Sequence, residues 1–206
     1  MSWSDLNHAV LPIAELLPTW VKFSWCIVLS AMVLRLSRFN KAGIWSAAAV
    51  AASMWLPPAD LLSGYLALVF QTPSLVLVAW GLGSWSDVVK PRECSTTAPI
   101  SMALIGVLLG WGLVIDGLNA WPTFFNPQLY AFGFESSALW FVLAIAAAML
   151  CLSHVSMRWV ISTMFLLIVY VLLRLPTGNV WDALLDPFVW LALHVQLWRT
   201  WRSART

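Results

Sequence analysis

The chain has 206 residues, of which 61% are hydrophobic and only 10% are charged, with a formal net charge of +2. A soluble domain carries roughly a quarter charged residues, so this composition argues against a water-filled surroundings and for a bilayer. No block of five or more like charges occurs, which argues against a nucleic-acid partner.

In hydrocarbon every backbone polar group needs a partner within the protein, and only helices or a closed barrel provide one. The apolar runs here are continuous rather than alternating, so helices are expected. A spanning helix takes about 20 residues. Residues 8–18 form a mildly apolar segment broken by Pro12 and Pro18, suited to the outer interface. The first span is predicted over 20–36, with Lys22 and Arg35 near its ends, where long side chains reach the headgroups. The second is predicted over 42–58, rich in alanine and closed by Pro57 and Pro58. The third, over 61–86, is an uncharged run holding Pro73. It reads as one kinked, tilted helix; the other reading lays 60–70 in the outer interface, ahead of a short span. The loop 86–99 carries Lys90 and Arg92.

The fourth span, over 100–116, contains Gly106 and Gly110, the small-residue spacing that lets helices touch. Residues 117–135 are broken by Gly117, Asn119, Pro122, Asn126, Pro127 and Gly133, so they form the longest outer loop, folded onto the membrane surface by its aromatic residues. The fifth, sixth and seventh spans are predicted over 136–152, 159–173 and 186–201. Seven helices and short loops use the whole chain. The expectation is an all-α integral membrane protein: one polytopic domain over 1–206, a bundle of about seven transmembrane helices.

On this path Arg35, Arg38, Lys41, Lys90, Arg92, Arg158, Arg199, Arg202 and Arg205 fall on one side. The other side keeps Lys22 and Arg174 with Asp5, Glu15, Asp60, Asp116, Glu135, Asp182 and Asp186. Basic residues stay cytoplasmic, so the N-terminus is expected outside and the C-terminus inside, in a bacterial inner membrane. The first residues carry Asp5 and Glu15 and lack the basic region of a signal peptide. Cys26 and Cys151 lie in apolar runs and Cys94 in an inner loop, with no C-x-x-C spacing; packing is their expected role.

Fifteen tryptophans stand in the chain. Trp20, Trp55, Trp121 and Trp181 fall near the outer boundary, and Trp45, Trp85, Trp159, Trp198 and Trp201 near the inner one, as aromatic belts do. Trp25, Trp111 and Trp190 lie deeper. The candidate ligand-binding set is Asp116, Asn119, Glu135, Trp111 and Asp182, converging on an outward polar cavity. Asp116 leads, because it continues the apolar run 104–115 without a break and an acid at membrane depth is costly. Asp182 is expected to help start a helix after Asn179, and Asp186 to cap one ahead of Pro187. His154 and His194 lie at similar depth, as a bis-histidine haem site would require. No other metal or cofactor is expected.

The protease, P-loop and dinucleotide motifs are absent from the sequence. The run LNAWPTFFNPQLYAFGFESSALWFVLAIAA, residues 118–147, resembles the tryptophan-rich sensory protein family of five-span membrane proteins. That likeness covers this run alone, the span count differs, and no function is transferred from it. The leading functional expectation is a non-catalytic inner-membrane subunit or scaffold, with membrane lipids and membrane proteins or further copies of itself as partners, envelope assembly being one such role. The alternatives are a small transporter or lipid-binding protein using the Asp116 cavity, and a haem-binding electron-transfer subunit.

Overall fold

The apolar runs fold as helices whose ends are set by capping residues, prolines and left-handed turns. The computed structural model describes residues 15–56, 59–89, 99–122, 127–153 and 157–205. In chain order the helices are α1 (Leu17–Leu36), α2 (Lys41–Ser53), α3 (Ala59–Phe70), α4 (Leu75–Val89), α5 (Ile100–Gly117), α6 (Leu129–Phe132), α7 (Ser136–Ser153), α8 (Met157–Leu173), α9 (Val180–Leu184) and α10 (Pro187–Ser203). No strand occurs among the described residues. Among the described residues two helices, α1 and α5, are long and apolar enough to cross a membrane by length and composition; α4, Ser136–Ala148 and Ile161–Leu173 are shorter apolar helical stretches. The chain groups into two compact units, one carrying α1–α4 and the other α5–α10.

In the first unit α1 packs against α2, α3 and α4. Its buried face holds Ile27, Ser30, Ala31 and Leu34, the spacing of one helical stripe. Gly81 of α4 lies against Ile27 and Ala31, where a Cβ would strike Ile27. Polar ties cross the α1–α4 seam. The Trp85 indole N–H donates to Ser30 Oγ at 2.9 Å, and Arg35 Nε donates to Ser84 Oγ at 2.8 Å. On the α2 side, Cys26 Sγ lies 3.4 Å from the Ala51 carbonyl oxygen, to which it donates. Trp25 is 2% exposed and meets Phe70 edge-on at 6.2 Å, so it is a packing residue.

α1 ends in a Schellman turn. Phe39 N–H donates to Leu34 O at 3.0 Å and Arg38 N–H to Arg35 O at 3.2 Å, with Arg38 in the left-handed region at φ 52°. Asn40 then caps α2 by accepting from Gly43 N–H at 2.6 Å.

The single kinked helix expected over 61–86 is in fact two helices. α3 stops at Phe70, Gln71 turns left-handed at φ 63°, and α4 starts at Leu75. Pro73 lacks an amide hydrogen and excludes helical geometry from the residue before it. Ser74 then restarts the helix, its Oγ accepting from Leu77 N–H at 3.1 Å. At 1.5 Å per residue the 15-residue α4 is about 22 Å long, short of a hydrocarbon core of about 30 Å.

In the second unit α5 and α10 form the main pair. The small face of α5 turns inward: Ala103, Val107 and Gly110 are buried. Leu193 sits against Gly106 and the Trp190 indole against Gly110, so a Cβ at either glycine would overlap α10. The Gly106–Gly110 spacing is a helix-contact face, as the sequence indicated. The large residues of α5 point outward: Leu104, Leu108 and Trp111 are 49%, 62% and 50% exposed. α8 presents a second apolar stripe through Ile161, Met164, Phe165, Ile168, Val171 and Leu172. α5 thus buries its small residues and exposes its large apolar ones.

Candidate functional site

The acids expected to converge lie at one end of the second unit, in a clasp made from the C-terminal end of α5 and two loops. α5 is stopped by a Schellman turn in which Ala120 N–H donates to Ile115 O and Asn119 N–H to Asp116 O, each at 2.9 Å. Asn119 takes the left-handed position at φ 51°. An asparagine tolerates that conformation through its short polar side chain, which accounts for its presence as a helix stop.

This turn leaves the Asp116 side chain facing the loop that leads to α6. Its Oδ2 accepts from the Tyr130 backbone N–H at 2.8 Å, and its Oδ1 accepts from the Trp121 indole N–H at 3.1 Å. Both oxygens are committed to internal donors. From the opposite loop, Asp182 Oδ2 accepts from the Tyr130 hydroxyl at 2.9 Å and from the Thr177 hydroxyl at 2.6 Å. Tyr130 therefore joins the two carboxylates, one through its backbone and the other through its phenol.

The remaining bonds lock the loops edge to edge. Asn179, fully buried, donates from Nδ2 to Tyr130 O at 2.9 Å and accepts at Oδ1 from Trp181 N–H at 2.9 Å. Val180 N–H donates to Gly133 O at 3.0 Å. The Trp181 indole N–H donates to Leu129 O at 2.8 Å. Gly133 must lack a side chain, since a Cβ there would run into Asn179 and Trp181. At the top of α8, the Tyr170 hydroxyl donates to Gly178 O at 2.6 Å, and Arg174 lies over the Tyr170 ring at 5.4 Å. Burial first, then the neighbouring Asp182 charge and its hydrogen bond, push the Tyr130 phenol up from 10.0 to about 12.

The predicted residues distribute as follows. Asp116 and Asp182 are brought to the same tyrosine. Asn119 ends α5. Glu135 accepts from the Ser137 hydroxyl at 2.8 Å, at the start of α7. Trp111 lies five residues before Asp116, about 7.5 Å along the helix, and packs elsewhere. It meets Trp190 edge-on at 5.2 Å and His194 at 6.3 Å, with Trp190 and His194 4.7 Å apart. Asp182, expected both in the ligand-binding set and at a helix start, lies in the first turn of α9 and also accepts across the loops from Tyr130 and Thr177. The capping expectations for Asn179 and Asp186 hold, since they accept from Trp181 N–H at 2.9 Å and Val189 N–H at 2.8 Å.

Trp181, expected in an outer belt, is 1% exposed and forms the core of the clasp. Tyr130, Thr177, Gly133 and Tyr170 were not singled out. A signal for the tyrosines existed: Phe outnumbers Tyr ten to three, so a tyrosine in an apolar run marks a place where a hydroxyl is used.

His194 Nδ1 lies 2.9 Å from Trp190 O. A carbonyl only accepts, so Nδ1 is the donor in this contact. His154, its proposed haem partner, lies outside the described residues, as do Cys94 and the side chain of Asp60. Among the described residues no group of three or more His, Cys, Asp or Glu side chains is arranged to hold a metal ion. The chain matches no family model, no curated protein and no solved structure.

Proposed function

We propose that this chain is a seven-span inner-membrane protein, with its C-terminus in the cytoplasm, that serves as a non-catalytic subunit or scaffold for other membrane proteins. The observation that carries this reading is the contrast between its acids and its surface. Asp116 and Asp182 are committed to Trp121, Tyr130 and Thr177, which supports a structural clasp rather than an open ligand site. The surface meanwhile presents continuous apolar stripes on α5 and α8, suited to lipid and to other helices. In this reading α1, α2, the interrupted α3–α4 segment, α5, α7, α8 and α10 make the crossings. The clasp faces outward, because the described acids of the second unit gather there. Its loops have exchanged their backbone hydrogen bonds with each other, as irregular backbone near hydrocarbon requires.

The test is isolation at native expression level in a mild detergent, followed by mass measurement of the intact particle. A scaffold arrives with a partner chain, or further copies of itself, at fixed stoichiometry. Replacing Leu104 and Leu108 on the open face of α5 with serine should then release that partner while the chain still inserts. A single 22.9 kDa chain in its micelle, stabilised by one class of small solute, would instead establish the transporter reading.

A further inference from the structure

The far end of α10 carries a stripe that the scaffold reading does not use. The α5–α10 pair is antiparallel, with Leu193 at Gly106 and Trp190 at Gly110. The clasp therefore lies beside the start of α10, and the helix ends about 26 Å away. Its sequence from Pro187 to Ser203 contains no acid, and the first turn of α5, which comes alongside, contains no charge. Along one face of α10 stand Leu191, Val195, Trp198 and Arg202, whose spacings of four, three and four residues run straight down a helix. Arg205 follows three residues later, just past the helix end, where its backbone N–H donates to the Arg202 carbonyl at 3.2 Å. All five are exposed.

The order of chemistry along this stripe is aliphatic, aromatic, cationic. From Leu191 to Arg202 it covers 11 residue steps, about 16 Å, and Arg205 carries it on past the helix end, on the scale of half a bilayer with its headgroups at about 20–22 Å. The arginines are held ready. Arg202 Cζ lies 5.6 Å from the Trp198 ring centroid, and Arg205 Cζ lies 3.5 Å from the Trp201 centroid. A guanidinium resting on an indole face keeps its N–H edge free for a planar, two-pronged contact with phosphate oxygens. Among the described residues no carboxylate pairs with Arg199, Arg202 or Arg205, and the four described acids of this unit (Asp116, Glu135, Asp182 and Asp186) all lie towards the clasp.

We propose that this stripe is a binding site for one anionic phospholipid of the inner leaflet. Its acyl chain lies along Leu191 and Val195, its glycerol region meets Trp198, and its phosphate sits on Arg202 and Arg205. The proposal rests on the membrane reading, and its test separates the two. The full chain, purified in detergent, is titrated with phosphatidylglycerol or phosphatidylcholine, and bound lipid is counted by native mass spectrometry. A chain that stays monodisperse without detergent overturns the membrane reading itself.

With that reading intact, phosphatidylglycerol is expected to bind about tenfold more tightly than phosphatidylcholine, from the scale of attraction per basic residue at an anionic surface. The double variant Arg202→Gln with Arg205→Gln should lose that preference. Arg38→Gln with Lys41→Gln, both exposed and both in the first unit, removes the same net charge away from the stripe and should keep it. Trp198→Leu with Trp201→Leu leaves the charges in place and should weaken the preference by releasing the arginines. Equal loss in the two charge doubles, or no loss in the first, overturns the site. So does competition by inorganic phosphate at the lipid's own concentration, which would mark a soluble anion instead. Loss of an acidic protein partner in the arginine variant, with lipid binding unchanged, also overturns it.

Discussion

Asp116 shows how one residue can satisfy a sequence argument and change its meaning. An acid continuing an apolar run is costly unless its oxygens are met, and Trp121 and Tyr130 meet both. Asp116→Asn places an amide group against one of those two donors. The expected cost is about 0.5–1.5 kcal/mol of stability, the usual net worth of one hydrogen bond at a half-buried site, with insertion unchanged. Glu135→Gln alters an exposed bond to Ser137 and should stay within about 0.5 kcal/mol, as most surface changes do. Thermal unfolding in detergent compares the two directly, and equal midpoints would contradict the clasp. Tyr130 gives a pH signature. Its phenol is held up to about 12, so the folded state favours the neutral form. That contribution is complete below the unfolded value near 10 and fades as pH rises towards 12. Unfolding midpoints should therefore drop between pH 10 and 12, and Tyr130→Phe should flatten that drop while lowering stability at neutral pH.

At the scale of elements, helix starts and stops were legible and long-range pairings were not. The helix expected over 100–116 is α5, that expected over 136–152 is α7, and Asp186–Pro187 opens α10, because caps and prolines act over three or four residues. The break between α3 and α4 was legible in principle. Ser74 after Pro73 is a start signal, but the uncharged run around it reads as continuous. The clasp was not legible. Tyr130 reaches Asp182 across 52 residues and Asn179 reaches Tyr130 across 49, and nothing local in an aromatic loop specifies such a partner. Glycine supplies an element-scale test within one helix. Gly81 faces Ile27, whereas nothing lies within 4 Å of a Cβ on Gly83. Gly81→Ala should destabilise the α1–α4 seam by about 1–3 kcal/mol through overpacking. Gly83→Ala should be neutral or stabilising by up to about 1 kcal/mol through helix propensity. Ser74→Ala should cost about 0.5–2 kcal/mol as a lost cap. Denaturation of the three variants in one detergent decides the set, and a loss at Gly83 matching that at Gly81 would refute the seam.

At the scale of the molecule, the distribution of charge links composition to orientation. Within the second unit, Asp116, Glu135, Asp182 and Asp186 lie towards the clasp, and Arg199, Arg202 and Arg205 lie at the opposite end of α10. The exception is Arg174, which rests over Tyr170 beside the clasp. Insertion retains basic residues in the cytoplasm far more strongly than it selects for acids, so under the proposed membrane reading the arginine end is expected inside and the clasp outside. This orientation can be tested without knowing any activity. In a background where Cys26, Cys94 and Cys151 are alanine, a single cysteine is placed at Ala131 or at Ser203, both exposed. A membrane-impermeant maleimide added to intact cells should label Ala131→Cys and leave Ser203→Cys unmodified until the membrane is opened. A reporter fused after Thr206 should give a cytoplasmic signal. Converting Arg199, Arg202 and Arg205 together to glutamine removes the strongest inward signal of this unit. If α10 is the last crossing, part of the population should then expose Ser203→Cys to the outside, because the charge expected to hold that end inside is gone. If Ser203→Cys labels from outside in the unaltered chain, an even number of crossings separates it from an external N-terminus, and the seven-span path is wrong. If neither position is protected, the arginine end does not face a sealed compartment, and the apolar stripes of α5 and α8 meet something other than lipid.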